Sequence, residues 1–538
     1  MADLLTLGAN ASLLYKSALS TVSNNIANLT TEGYSRQTID VEENTPDAIG
    51  STFIGTGASL NSVTRSYDAF AENSLRQSNS ELVGQYELID YSSQIVDVLG
   101  SDTAGLNSAL DQFFISAGSL ASDPASSVLR NDFLNQATSV AIRFNDLGNH
   151  LVMLEQDSQF EIDGQLSQLN TYSQQLVTLN AELARYTSVS DQPPQLLDRR
   201  DKTLMEMSSI AKIHVIESAS GTVEVRLDSA EGTTLVDKRG ANALSAVYND
   251  PQLGDVDIVS SYGVIGPISD VTGGRLGGLV SSRDELIKAS IADLDALAVE
   301  FADEVNAIQT TGVDINGVRG TDMFDASGGA VAINMLITDA DNVATGGLLT
   351  IDAAVANTGG ATMGHEIIPA GTTTPTFTVT FTDGAGGYSI NDGPPATTGT
   401  LDANNQFIYG GITYTLSEIP DNTDNFSVGL NTSSPGDNRN MLLMSDLQSR
   451  DVMPGGGTLS EGYNRIYTDS STRSTLATIS SDALQVVYDQ AVATKDRVSG
   501  VNLDEEAADL IRYQQAFQAA AQVMSASSAL FDAILAVR

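Results

Sequence analysis

Narrow apolar seams at both ends of the chain constrain its fold more than any other sequence feature. Near the C-terminus, large apolar residues recur every seven positions, at Leu503, Leu510, Phe517, Met524 and Phe531. This spacing places the side chains along one stripe of a helix, as in a coiled coil. Gly500 precedes the helix as a breaker, and Asn502 and Glu505 have the spacing of a capping box. We therefore expect a helix that runs from about Leu503 to Arg538.

The first thirty residues show a similar stripe. Apolar residues step by three or four positions, at Leu4, Leu7, Ala11, Leu14, Ala18, Val22 and Ile26. The spacing predicts a second amphipathic helix. Asn24, Asn25 and Asn28 crowd its end, where asparagine side chains can fix the register of packed helices by hydrogen bonding. Gly33 suits the left-handed position that follows a helix.

Neither seam is wide enough to stabilise a helix alone. Burying a large apolar side chain returns roughly 1.5 to 3 kcal/mol. Ordering the backbone costs about 1 to 2 kcal/mol for each residue, before hydrogen bonding offsets part of it. Each terminal helix therefore needs a partner, which is either the other terminal helix or a neighbouring copy of the chain. Periodicity alone leaves both partners open.

Between the terminal seams, helical and β-rich tracts alternate. Helical spacing marks residues 66–200, 287–308 and 458–498, which indicates a long helical bundle. Two-residue alternation marks β-rich blocks within 213–268 and 334–431. We predict an α+β fold with terminal coiled-coil helices, an elongated helical stem and one or two β-rich outer domains inserted in the stem.

The predicted organisation has three parts. They are a terminal coiled-coil core domain of residues 1–60 with 499–538, a helical stem domain of residues 61–212 with 269–333 and 432–498, and β-rich outer domain(s) of residues 213–268 with 334–431.

Composition excludes several kinds of partner and site. The chain has 26 Lys and Arg against 68 Asp and Glu, a formal net charge of −42, so it lacks the basic patches that bind nucleic acid or anionic lipid. The absence of cysteine removes disulfides, thiolate metal ligands and cysteine nucleophiles. No apolar run approaches the roughly 20 residues of a membrane span. The start does not read as a cleaved signal peptide, because its first basic residue is Lys16.

Two strings beside the seams resemble those of bacterial flagellar rod, hook and hook-associated proteins. The N-terminal string is Ser23-Asn24-Asn25-Ile26-Ala27-Asn28, followed by Thr31-Glu32-Gly33-Tyr34-Ser35-Arg36-Gln37. The C-terminal string, from Ser499 through Glu506 and Tyr513-Gln514-Gln515-Ala516-Phe517 to Ala533, is similar to hook-associated members in particular. Internal strings at 297–317 and 436–440 agree, whereas the β-rich blocks show no motif that can be aligned.

The resemblance implies a structural protein that assembles at the distal end of the hook and joins it to the filament. It implies terminal helices that form an inner tube, and type III export to the cell exterior without a cleaved signal. The implied partners are further copies in a ring, the hook protein, a second hook-associated protein and an export chaperone at the C-terminal helix. The residues expected to carry assembly are Leu4, Leu7, Leu14, Asn24, Asn25, Ile26, Asn28, Gly33, Tyr34, Leu503, Leu510, Tyr513, Phe517, Met524, Phe531 and Ile534.

Two other functions compete with this one. Another axial protein, such as a hook or distal-rod subunit, would share the N-terminal string but would have a different C-terminal string. A secreted adhesin or hydrolase with flagellar-type ends would need an active site within the β-rich blocks.

The sequence offers only weak candidates for such an active site. At His365 it begins like the zinc-protease motif HExxH, but Pro369 stands where the second histidine must be. Asp314, Asp339 and Asp341 lack the spacing of an EF-hand and are typical of turns. We therefore expect no enzyme activity, no cofactor and no metal site.

Overall fold

Contacts among the helices and strands divide the chain into two units. The computed structural model describes residues 2–49, 52–100, 105–248, 255–261, 271–366, 368, 372–432 and 435–536. Unit 1 combines Met1–Tyr91, Gln156–Glu285 and Arg473–Arg538, and unit 2 combines Ser92–Glu155 with Leu286–Thr472. Both ends of the chain therefore belong to unit 1.

The described residues form long helices at the two ends of the chain and in its interior. They are α1 (Ala2–Ala27), α2 (Ala69–Leu99), α3 (Leu106–Ser122), α4 (Ser127–Leu183), α5 (Pro194–Ile210), α6 (Gly274–Ser281), α7 (Lys288–Thr310), α8 (Arg439–Asp446), α9 (Leu459–Ser499) and α10 (Leu503–Ala536). A π-helical segment, Ser282–Ile287, joins α6 to α7.

Local sequence sets the starts of the last two helices. α9 begins at a capping box in which Glu461 N donates to Thr458 Oγ1 at 3.2 Å and Thr458 N donates to Glu461 Oε2 at 2.9 Å. α10 begins after Asn502, whose Oδ1 accepts a backbone amide of the first turn at 3.0 Å. The carboxylate of Glu505, which we predicted in a capping box with Asn502, instead pairs with Arg36 at 3.3 Å.

The strands of unit 1 form small antiparallel sheets. Their bounds are β1 (Gln37–Glu43), β2 (Asp47–Ile49), β3 (Thr52–Ile54), β4 (Ala58–Arg65), β5 (Ile213–Glu217), β6 (Val223–Leu227), β7 (Thr234–Asp237), β8 (Gly240–Ala241), β9 (Leu244–Tyr248) and β10 (Val256–Ser260). β1 pairs with β4, and β5 to β8 form one sheet in chain order. On β6, Val223, Val225 and Leu227 alternate inward, as the two-residue period predicts.

The strands of unit 2 lie within 312–430. They are β11 (Gly312–Val313), β12 (Phe324–Asp325), β13 (Asn334–Met335), β14 (Gly346–Gly347), β15 (Leu349–Ala353), β16 (Met363–His365), β17 (Phe377–Phe381), β18 (Gly387–Asn391), β19 (Thr397–Thr400), β20 (Gln406–Tyr409), β21 (Ile412–Leu416) and β22 (Asn425–Leu430). Five strands pair in the order β15, β22, β17, β18, β19, and three pair in the order β16, β21, β20. The inward residues of β17, Phe377, Val379 and Phe381, share a buried core with Tyr414 and Phe426.

Aromatic side chains fill the helical core of unit 2. The ring of Phe301 on α7 lies 5.5 Å from that of Phe113 on α3, 5.9 Å from Phe144 on α4 and 5.1 Å from Phe324 on β12. Tilted and edge-on arrangements at these distances add to the apolar burial. The spacing of residues 287–308 predicts an apolar seam along α7 and the last residue before it. This seam is buried throughout, at Ile287, Ile291, Leu294, Ala298, Phe301, Val305 and Ile308.

The predicted α+β class is confirmed, with terminal helices and a β-rich middle region. The helical tract at 66–200 is divided into α2 to α5, and α1 ends at Ala27 instead of near residue 30. The predicted division into three domains stays a prediction. Among the described residues, no helix combines the length and the hydropathy that crossing a membrane requires.

The helical spacing of residues 458–498 predicts one apolar seam along α9, at Leu459, Tyr463, Ile466, Leu476, Ile479, Ala483 and Val487. The structure divides this seam between two environments. Leu459, Tyr463 and Ile466 are buried in unit 2. In unit 1 the seam residues are exposed, at Leu476, Ile479, Ala483 and Val487. The second half of α9 thus turns a different face toward its own chain than the sequence predicts.

Candidate assembly interface

α1 and α10 pack against each other within one chain. Leu14, Ala18 and Val22 of α1 are buried, as are Ala520 and Ser527 of α10. Half-buried beside them are Leu510, Tyr513, Phe517 and Met524. The predicted seams therefore cover each other along the middle of the helix pair. Of the two partners that periodicity left open, the structure thus shows the other terminal helix of the same chain.

Gly8 allows the two helices to approach closely. A Cβ atom built on Gly8 would lie 2.8 Å from Met524 Cγ and 3.4 Å from the carbonyl oxygen of Ala520. Nearby, the rings of Tyr15 and Tyr513 lie 6.4 Å apart. A side chain at residue 8 would force the Met524 side chain, or α10 itself, to shift, because packed interiors have little room for an extra carbon at such distances.

Asn25 is the polar centre of the helix pair and is 1% exposed. Its Nδ2 donates to Glu506 Oε2 and to the Gln37 carbonyl, both at 2.9 Å. Its Oδ1 accepts from Tyr34 Oη at 2.7 Å and from Gln37 N at 3.0 Å. Both donors and both lone pairs of this amide are used. Asn25 therefore joins the end of α1 to β1 and to α10 by hydrogen bonds. That the asparagines fix the register of the helices stays a prediction.

Glu506 is the buried anion opposite Asn25. Its side chain is 1% exposed, and its Oε1 accepts from Arg36 Nε at 2.7 Å. The same guanidinium lies 3.3 Å from Glu505 and 3.9 Å from Asp509. A buried ionised group is stable only when it is paired and hydrogen-bonded. We call Asn25, Tyr34, Arg36, Gln37 and Glu506 the polar node.

The turn after α1 places Tyr34 in the polar node. Asn28 Nδ2 donates to the Asn24 carbonyl at 2.9 Å, and Asn24 Nδ2 donates to Tyr34 Oη at 3.1 Å. Gly33 has a φ of +78°, which is the left-handed conformation predicted for it. The consecutive polar residues of the N-terminal string therefore fold back on the end of α1.

Tyr34 is a neutral hydrogen-bond donor at ordinary pH. Burial, with smaller contributions from the carboxylates of Asp198 and Glu506, raises the pKa of Tyr34 to about 12. A phenolate here would lose the hydrogen bond to Asn25 and face two anions. The polar node therefore contains one cation, Arg36, and one buried anion, Glu506.

The structure brings most of the predicted assembly residues into the helix pair or the polar node. Leu7 and Ile26 are half-buried in unit 1. Leu4, Leu503 and Phe531 are about half exposed, and the side chain of Ile534 lies outside the described part of the chain. The helix pair is thus covered in its middle and open toward the outer ends of both seams. The role of these residues in assembly stays a prediction.

Further apolar side chains point away from the helix pair. On α1, Leu13 is 64% exposed and Leu5 is also exposed. On α10, Ile511 and Leu530 are exposed to a similar degree. These leucines and isoleucine bury no large area within one chain, so they are available to a neighbouring molecule.

Arg36 and Glu506 were not among the predicted assembly residues. Both occur in the strings that carry the family resemblance, and their opposite charges were the signal that could have paired them. Because they are 470 positions apart in the chain, the sequence alone does not show that they pair.

The candidate catalytic and metal-binding residues of unit 2 belong to a strand and to turns. His365 ends β16, so it is not on a helix, and Pro369 lies outside the described residues. Asp314 Oδ1 accepts two backbone amides of its own turn, both at 2.8 Å, and Asp339 Oδ1 accepts the amide of Asp341 at 3.0 Å. The predicted turn chemistry is confirmed. Within the ranges that the structure describes, no cluster of three or more His, Cys, Asp or Glu side chains is arranged to hold a metal ion.

Two family models match the chain. The model of the flagellar hook-associated protein FlgK helical domain matches residues 92–324. The model of the flagellar basal body rod FlgEFG protein C-terminal region matches residues 497–537. The second match covers α10 and includes Glu506.

Curated relatives match the chain over more than half of its length, and some match nearly all of it. Flagellar hook-associated protein 1 of Salmonella typhimurium LT2 is 29% identical over 562 aligned residues, covering 99% of this chain and 98% of its own. The Escherichia coli K12 protein of the same name is 28% identical over 560 residues, with the same coverage. The Bacillus subtilis protein of that name is 29% identical over 352 residues, covering 58% of this chain and 68% of its own.

A solved structure shares the fold. The flagellar hook junction protein FlgK from Burkholderia pseudomallei matches with a TM-score of 0.69 and 21% identity, over 79% of this chain and 100% of that chain. This likeness shows the architecture, and the family models and relatives add the sequence match along the chain. The chain is therefore similar along nearly its whole length to flagellar hook-associated protein 1, and its residues 92–324 match the helical domain of that protein.

Proposed function

We propose that this protein is a structural subunit that assembles at the distal end of the hook and joins the hook to the filament. The observation that carries the proposal is the union of both chain ends, through the α1 and α10 pair and the polar node, beside apolar residues that remain exposed. The names of the full-length relatives support the same role. The role is mechanical and requires no catalysis.

The proposed partners are further copies in a ring, the hook protein, a second hook-associated protein and an export chaperone. The chain would reach the flagellum outside the cell through the type III channel. The chaperone would cover α10 before assembly, because the face that packs on α1 is open in a chain that has not folded. The family resemblance and the match of the C-terminal model to α10 support this assignment.

Deletion of the gene, with complementation, tests the proposal. We expect the deletion strain to make hooks without filaments and to release flagellin into the medium. The full chain should restore filaments, and a truncation that lacks residues 503–538 should not, because the helix pair and the polar node are then lost. Filaments on the deletion strain or on the truncation strain would contradict the proposal. Loss of hooks as well would favour a hook or rod subunit instead.

A further inference from the structure

The second half of α9 has two different faces. Toward its own chain it buries small side chains, Ala477, Ser481 and Ala491. On the same side, Tyr86 Oη on α2 donates a hydrogen bond to Gln485 Oε1 at 3.3 Å. The face that packs within unit 1 is therefore already occupied.

A separate face of the same segment carries an uncovered aliphatic stripe. Ile479 and Val486 are 60% and 68% exposed, and Leu476 and Val487 are also more than half exposed. With Ala483, these residues repeat at steps of three and four, which places them on one side of the helix, about 16 Å long at ~1.5 Å per residue. We call Leu476, Ile479, Ala483, Val486 and Val487 the α9 stripe.

The α9 stripe has the chemistry of a helix-packing surface. None of its side chains is charged or aromatic, and β-branched and leucine side chains at this spacing fit between those of another helix. Scattered exposed apolar residues are ordinary on a protein surface, but five in one row on a helix form a contiguous patch.

We propose that the α9 stripe packs against a second copy of this chain in the assembled junction, outside the terminal helix pair. The proposal rests on the proposed function, because it needs copies placed side by side. α9 ends at Ser499 and α10 begins at Leu503, so the stripe lies on the helix that directly precedes the one carrying the proposed assembly interface. Copies that assemble through α10 necessarily bring their α9 segments into the same assembly.

The size of the stripe favours a repeated copy over a tightly bound separate partner. A stable pairwise interface uses about 20 to 30 residues on each side, and the stripe offers five. A contact this small does not form a dimer in dilute solution. It contributes when many identical contacts close around a ring, since each is then made at high local concentration.

The test replaces Ile479 and Val486 with aspartate in the full-length protein. Both side chains are exposed, so the Ile479→Asp/Val486→Asp chain should remain monomeric and melt within about 2 °C of the wild type. In the deletion strain we expect at least tenfold fewer attached filaments with this chain than with the wild type. Thr478→Asp is the matched control, since Thr478 is exposed on the same segment outside the stripe and should restore filaments fully. Full restoration by the double variant would overturn the proposal, and so would its failure to fold as the wild type does.

Cross-linking identifies the molecule that packs against the α9 stripe. Because the chain has no cysteine, Ile479→Cys carries a single thiol that benzophenone maleimide can label before reassembly on purified hooks. A product of twice the chain mass supports the proposal. Products with the hook protein, another hook-associated protein or a chaperone, or no product, would overturn it. If the wild-type chain itself fails to restore filaments, the proposed function fails, and this result is distinct from a failure of the stripe alone.

Discussion

A chain in which Glu506 is replaced by leucine is expected to fold its interior but to lose filament attachment. The substitution removes the acceptor of Arg36 Nε and of Asn25 Nδ2, which lie 2.7 Å and 2.9 Å from the carboxylate. Breaking a buried charge pair on one side costs roughly 3 kcal/mol, because the remaining partners stay desolvated. Since Asn25 joins α1, β1 and α10, we expect the helix pair to separate. The measurement is the fraction of hooks that carry filaments, with at least a tenfold decrease expected.

Glu505→Gln is the control for this prediction. Glu505 also pairs with Arg36, at 3.3 Å, but its side chain is 59% exposed. Exposed ion pairs contribute about 1 kcal/mol or less, so this variant should attach filaments as the wild type does. Equal loss in both variants, or normal attachment with Glu506→Leu, would show that the polar node does not hold the chain ends together.

Replacing Arg130 with methionine is expected to have the largest effect on the stability of the folded chain. Arg130 is fully buried on α4. Its Nε donates to the Pro124 carbonyl at 2.7 Å, one terminal nitrogen donates to the carbonyls of Ala340 and Val343 at 3.2 and 2.9 Å, and the other donates to Thr345 Oγ1 at 2.9 Å. Burial lowers the pKa of Arg130, against the attraction of two nearby carboxylates.

The loss follows from the hydrogen bonds that methionine cannot make. Methionine fills a similar length but leaves three backbone carbonyls without this donor, and each unsatisfied buried group costs about 1 to 3 kcal/mol. We expect the free energy of unfolding of unit 2 to fall by roughly 3 kcal/mol or more in denaturant titration. Arg143→Met, on the same helix, removes a partly exposed ion pair with Asp146 at 3.7 Å. It should change the free energy of unfolding of unit 2 by less than about 1 kcal/mol. Similar losses for both variants would contradict the account of Arg130.

Periodicity identifies those parts of the fold in which large apolar side chains mark the buried face. The seam from Ile287 to Ile308 and the alternation of β17 are both correct, because in each the buried residues are the large ones. α9 shows where this reasoning fails. Its buried face carries Ala477, Ser481 and Ala491, which give little hydropathy signal, whereas Leu476 and Ile479 on the other face gave the predicted seam.

Buried charges are the other feature that the sequence hides. Glu506 lies in an acidic first turn of α10, where an anion is favoured by the helix dipole alone. Arg130 likewise has the appearance of a surface residue on a long helix. Their partners lie 470 and about 210 positions away, and only the folded chain brings these residues together. The asparagines were predicted to fix register because amide side chains do so in many packed helices.

Hydrogen exchange on α10 is the most direct test of the central claim that the chain ends are completed by assembly. The amides of Leu503–Ala536 would be compared between the monomer in dilute solution and the protein in isolated hook and filament complexes, with α7 as the internal reference. We predict that the exposed outer end of α10, around Leu530 and Phe531, exchanges rapidly in the monomer and at least tenfold more slowly in the complexes. The part of α10 that packs on α1, and α7, should be protected in both. Equal, strong protection of this outer end of α10 in the monomer and in the complexes would contradict the claim.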